Sequence, residues 1–142
     1  MLDNIYNQKV TILNKLKCGD NGNNVDIWQK TVIEDVAWYS RAERTVHNNS
    51  VSICSYIICL IPHHSEYLDY TAWRKLDDAE RKNHFTMSSG DYIVLGDVDE
   101  EITAKNVISV MSKYDPDVCS VKHCERLHDR FNSVVQLRVE GT

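Results

Sequence analysis

Apolar and polar positions alternate with a two-residue period from Lys9 to Leu16, Val10 and Ile12 on one face and Thr11 and Leu13 on the other, which predicts a β-strand. The run Cys18-Gly19-Asp20-Asn21-Gly22-Asn23-Asn24 that follows is almost entirely Gly, Asn and Asp, types that tolerate left-handed backbone, and predicts a long turn. Val25–Val32 and Val36–Val46 are both rich in β-formers and are separated by Glu34-Asp35, so two strands are expected there. After a turn at His47-Asn48-Asn49-Ser50 comes the most apolar stretch, Val51–Ile61. It carries Ile53, Ile57, Cys59 and Ile61 on one face and Cys54, Tyr56, Ile58 and Leu60 on the other. Apolar character on both faces reads as a central strand, with Ile53, Tyr56, Ile57 and Ile58 in the core.

Pro62 ends that strand, and from His63 to His84 charged and aromatic residues appear with no two-residue period. This predicts a long loop insertion with one or two short helical turns, Thr71 capping a segment from Ala72 to Leu76. Strand patterns resume at Phe85–Met87, Tyr92–Leu95 and Val98–Thr103, with Gly96 as a bulge or sharp bend. Ala104–Tyr114 reads as a short helix with Val107, Ile108 and Met111 inward, stopped by Asp115-Pro116-Asp117. Val118–His123 and Phe131–Glu140 form a last hairpin. About eight short strands without alternating long helices predict a mainly β fold, a small antiparallel β-barrel or sandwich. One domain is expected over residues 1–142, with the extended loop or arm at about 63–84.

Composition narrows the function classes. At 142 residues, 42% hydrophobic and 26% charged, the chain is large enough to bury a core without staples. Sixteen basic against twenty-one acidic side chains leave a net charge of −5, which argues against a protein that coats DNA. No basic segment followed by an apolar run opens the chain, and no stretch is apolar for long enough to span a bilayer, so synthesis in the cytoplasm and no membrane are expected. Five cysteines in that setting read as free, small, buried and inert thiols.

Candidate chemistry adds little. Cys119, His123, Cys124 and His128 do not have zinc-finger spacing, and an unbroken strand would put Cys124 on the face opposite Cys119 and His123. Cys54 and Cys59 face opposite ways for the same reason. His63, His64, Glu66 and Asp69, with His84 downstream, offer imidazole and carboxylate ligands in the least periodic stretch, where solvated loop residues are the plainer reading. Gly90 and Gly96 stand alone, so no phosphate-cradling loop or nucleophile elbow is present. The expectation is a protein without catalytic residues, metal or cofactor, not an enzyme. Asp91, Asp97, Asp99, Glu100 and Glu101 read either as the solvated face of a strand pair or as an acidic surface that lets a polyanion slide past or docks a basic patch.

The insertion carries Tyr67, Tyr70 and Trp73 beside Arg74 and Lys75, residue types enriched at the centres of interfaces, and these five are the candidate assembly contacts. The competing reading is a satellite core in which the aromatics cover an open end of the barrel. The order of segments KVTILNKL, VDIWQKTVIEDVAWYSR, YIICLIP, YLDYTAWRKL, FTMSSGDYIVLGDV and VVQLRVEG resembles the head-tail connector proteins of tailed bacteriophages of Gram-positive hosts, described as head-closure, stopper or minor structural proteins. The resemblance implies a virion protein of the neck, a small β-barrel forming a homo-oligomeric ring. It would lie between the portal or adaptor ring and the tail-terminator or tail proteins. DNA would pass through the lumen without sequence-specific binding. A tail completion protein and a non-viral β-barrel binding module are the alternatives.

Overall fold

The computed structural model describes residues 5–20, 22 and 24–142; Met1 to Asn4 and, within the predicted turn, Asn21 and Asn23 lie outside the described residues. Among the described residues six strands are present: β1 (Gln8–Leu16), β2 (Ile27–His47), β3 (Ser50–Pro62), β4 (Tyr92–Leu95), β5 (Val118–His128) and β6 (Val134–Gly141). Three short helices join them, α1 (Tyr70–Trp73), α2 (Asp78–Arg81) and α3 (Val107–Tyr114). All strand pairs are antiparallel and run in the order β1-β2-β3-β6-β5-β4, with β4 pairing back onto β1 to close the ring.

The ring is uneven because two strands serve two neighbours in succession. β2 pairs with β1 up to Val36 and then with β3 from Ala37 to His47. Its change of partner falls beside Asp35, which adopts φ 60°, opposite a register shift between Gln8 and Val10. The Glu34-Asp35 break between two predicted strands is therefore a kink inside one strand of 21 residues. β5 likewise pairs with β4 over Val118–Ser120 and with β6 from Val121 on. Val98–Thr103 forms no strand, and Phe85 makes only an isolated bridge to Tyr67, so with the merger within β2 the expected strand segments reduce to six.

β1 alternates as its sequence predicts. Val10 and Ile12 face the barrel interior with Ile33, Val36, Ile61, Ile93, Val121, Leu137 and Val139. Leu13 faces outward with Val94, where Val98, Ile102, Val107, Val110 and Met111 cover it from the 97–106 loop and α3. Both faces of β1 and β4 are thus buried, the situation expected for β3. In α3 the inward residues are Val107, Val110 and Met111, and Ile108 is exposed. Lys30 Nζ holds the covering loop by reaching the Val98 and Glu100 carbonyls, both at 3.0 Å.

β3 departs most from expectation. Only Ile57–Leu60 pairs with both β2 and β6; Ser50–Tyr56 pairs with β2 alone, and Ile61 and Pro62 with β6 alone. Ile58 is fully buried, Ile57 and Tyr56 are half-buried, and Ile53 is 72% exposed. The apolar run is a core strand in its second half and the edge of a projecting ribbon in its first.

The cysteines also divide. Cys59 and Cys119 are buried and Cys124 is half-buried, while Cys18 and Cys54 are exposed, which corrects the expectation that all five are buried. Burial pushes the Cys119 thiol up to about 12 and Cys124 to about 11, so neither is a nucleophile near neutral pH. A register shift between Val121 and His123 turns Cys124 to the same inner side as Cys119 and leaves His123 exposed, the reverse of the unbroken-strand expectation. Among the described residues no helix is long and apolar enough to cross a membrane.

Candidate functional site

The 63–91 segment covers the end of the barrel where β3 finishes. Phe85 and Met87 enter the interior core, and Tyr67 packs against it. The Tyr67 ring meets Phe85 edge-on at 5.7 Å, and His64 does the same at 5.5 Å. Burial raises the Tyr67 hydroxyl to about 12, with Cys124 and Asp69 adding to the shift. Trp73 is fully buried: its ring lies 5.6 Å from the Arg81 guanidinium, and its Nε1 donates to the His84 carbonyl at 3.4 Å. Arg81 also donates to the Trp73, Arg74 and Leu76 carbonyls, so one cation satisfies the C-terminal acceptors of α1.

Contacts from several strands fix this cap. Gln29 of β2 donates to the Arg81 and His84 carbonyls at 3.0 and 2.8 Å. Asp69 pairs with Arg126 of β5 at 3.2 Å. Asn14 of β1 donates to the Thr86 carbonyl at 2.6 Å and to Asp91 at 3.0 Å. Asp91 is 1% exposed and also accepts from the Lys15 amide at 3.0 Å, and from the Ser88 amide and hydroxyl at 3.0 and 3.3 Å. Desolvation outweighs those hydrogen bonds and raises its pKa.

The five predicted contact residues therefore come together, but mostly on work inside the subunit. Trp73 and Tyr67 belong to the cap. Tyr70 donates to Asp20 at 2.6 Å and Arg74 pairs with the same carboxylate at 3.1 Å, pinning α1 to the β1–β2 turn. Lys75 is exposed. Within the subunit this insertion is a cover over the barrel end, with Lys75 on its exposed side.

The acidic stretch is similarly divided. Asp91 is internal, Asp97 pairs with Lys9 at 2.9 Å, and Glu100 accepts from Lys113 and Tyr114, which hold its carboxyl down to about 2. Asp99 and Glu101 remain on the surface. A cleft of about 580 Å³ beside the cap is lined by Glu34, Asp35, His63, His64 and Glu66, with His64 Nδ1 3.8 Å from Glu66. Among the described residues no three His, Cys, Asp or Glu side chains are placed to hold a metal ion.

The surface that sequence reasoning missed is the β2–β3 ribbon. From Arg41 to Ser55 every residue is exposed, and the two strands stay in unbroken register from Ala37↔Leu60 to His47↔Ser50. Asn48 and Asn49, at φ 48° and 65°, make the two-residue turn that matches strand twist. Val46 lies opposite Val51 and Arg44 opposite Ile53, on the face that continues inward through Ile57 to Trp38 and Cys59. This face is the barrel interior carried out into solvent: Val46, Val51 and Ile53 are 64%, 51% and 72% exposed. The signal was present as an Asn-Asn turn flanked by two β-rich arms of matching length.

At the base of the ribbon the barrel is open. A cleft of about 590 Å³ is lined by Trp38, Ile57, Leu95 and Val118, with Asp115 and Asp117 on its rim. This mouth lies at the opposite end of the barrel from the cap.

Residues 5–142 match a family of unknown function, DUF6751, and the chain belongs to that family. No curated protein matches the chain, and no solved structure does.

Proposed function

We propose that the chain is a structural subunit of the neck of a tailed bacteriophage, a head-closure or stopper protein that forms a ring between the portal or adaptor and the tail. The observation that carries this reading is the β2–β3 ribbon, an apolar sheet face that leaves a small closed barrel with nothing among the described residues of its own subunit to cover it. Exposed apolar strand pairs with open edges are an aggregation liability in a free-standing protein, and a ring subunit has a neighbour on each side to cover them. The resemblance of the segment order to that of head-tail connector proteins supplies the setting. A net charge of −5 suits a channel through which DNA slides without being trapped by counterion release. The role is architectural and calls on no catalytic residue.

Antibody labelling of purified particles of the phage that carries this chain tests the reading. Label is expected at the junction of head and tail, and deletion of the chain should leave DNA-filled heads that leak or fail to join tails. Label at the tail end of the tube would make it a tail completion protein. Absence of the chain from purified particles would overturn the virion assignment, leaving a non-viral β-barrel binding module.

A further inference from the structure

We infer that subunits of this protein join head to tail, the ribbon tip of one copy lying in the barrel mouth of the next. The inference deepens the ring reading, on which it rests for closure of the chain of contacts, by naming the two surfaces. The ribbon face presents Val46, Val51 and Ile53 around the Arg44 guanidinium. The mouth presents Trp38, Ile57, Leu95 and Val118 beside the Asp115 and Asp117 carboxylates. Each surface is thus an apolar patch with a charge, and the two charges are of opposite sign. Among the described residues neither Arg44 nor Asp115 nor Asp117 has an ion-pair partner within the subunit.

The ribbon cannot fill its own mouth. Ile57 is in the mouth lining, and the register from there to the turn has no bulge that would fold the ribbon back. At about 3.3 Å per residue the tip stands roughly 20 Å from its own base. Only another copy can bring a tip to that cleft. Because tip and mouth are different patches, the contact is heterologous. Such contacts close into a ring when the rotation between copies divides a full turn and otherwise run on as a filament.

Charge reversal tests the contact. Arg44→Glu gives a chain whose arm and mouth are both acidic; Asp115→Lys/Asp117→Lys gives one in which both are basic. Sedimentation of the wild-type protein across a concentration series should show self-association. Each variant alone should associate roughly tenfold or more weakly, since like charges then meet at every contact. An equimolar mixture should regain wild-type association, because each arm then faces a mouth of opposite charge. A wild-type protein that stays monomeric at millimolar concentration, a variant that assembles like wild type, or a mixture that stays dissociated would each overturn the inference. If the double Lys variant fails to fold by circular dichroism, Ile53→Asp replaces it as the second test of the contact, and association at wild-type strength would again overturn it. Association that survives every variant, with the chain still present at the neck, removes the arm-to-mouth contact and leaves the ring reading standing. Restored association in a protein absent from virions does the reverse.

Discussion

The two ends of β3 have similar apolar content and opposite surroundings. At its C-terminal end, Ile61 sits in the barrel core and Pro62 leads into a segment that returns Trp73, Phe85 and Met87 to cover the opening. At its N-terminal end, Val51 and Ile53 face solvent on a strand paired along one edge only. Apolar residues on a strand announce that something covers them; they do not announce whether the cover comes from the same chain. Where the chain has a following segment rich in large aromatics, it covers itself. Where it turns back after Asn48-Asn49, the face stays open to solvent, and on the reading proposed above a second copy covers it.

The sharpest way to break this contrast is at the cap. Trp73→Ala removes the largest fully buried side chain and the surface under Arg81, and should destabilise the subunit by about 3–5 kcal/mol in denaturant unfolding. An unchanged midpoint would mean that the insertion is not part of the fold's stability, and would return it to the role of a free arm.

Next in size is Asp91. Asp91→Ala leaves the half-buried Lys15 and Ser88 amides without their acceptor, a loss of about 1–3 kcal/mol. The pH dependence has a definite sign. Burial raises the Asp91 pKa, so the folded state holds its proton more tightly than the unfolded chain. The stabilisation from that proton is complete below the ordinary carboxylate range and is lost as pH rises through the raised value. Thermal melts of Asp91→Asn, which cannot ionise, should lack this downward slope; parallel profiles for the two proteins would show that Asp91 is not desolvated.

Much of the barrel was legible before any coordinates. Period-two alternation placed β1, and the apolar residues after Asp91 placed β4, because each has one kind of cover on each face. Ala104–Tyr114 reads as a short helix from its spacing; the helix covers Val107–Tyr114, and Ile108, expected inward, faces solvent. Partner changes are not local properties, and so the sequence did not disclose them. Glu34-Asp35 looks like a strand end because Asp35 takes a left-handed conformation, yet β2 continues beyond it by exchanging β1 for β3. One extra residue near Lys122 inverted the facing of His123 and Cys124. The candidate contacts are legible as a cluster, but their use inside the subunit is not, since aromatic and basic residues in an aperiodic loop suit an interface and a cap equally. Arg81, which binds α1's carbonyls, is what ties the cluster into the fold of its own subunit.

Within β3 the contrast can be graded residue by residue. Ile61→Ala, wholly in the core, should cost about 2–5 kcal/mol, and Ile57→Ala, half-buried at the mouth, distinctly less. Ile53→Ser should stay within about 0.5 kcal/mol of wild type, as exposed substitutions do. Equal losses at Ile53 and Ile61 would mean that the ribbon folds back onto the barrel in solution.

The smallest effect on stability is expected from the largest deletion at the ribbon end. Replacing residues 43–54 with an Asn-Gly turn joins Ala42 to Ser55, which already lie opposite each other, so the strand pair closes in its existing register. The removed segment is exposed throughout and belongs to neither core cluster, and the shorter loop is slightly cheaper to close. The melting temperature of the free subunit should therefore stay within a few degrees of wild type, whereas self-association should be lost. A large drop in melting temperature would show that the ribbon supports its own barrel, and the two ends of β3 would then differ only in how far each cover extends. Unchanged association would place the subunit contact elsewhere and leave the exposed Val46, Val51 and Ile53 without a partner.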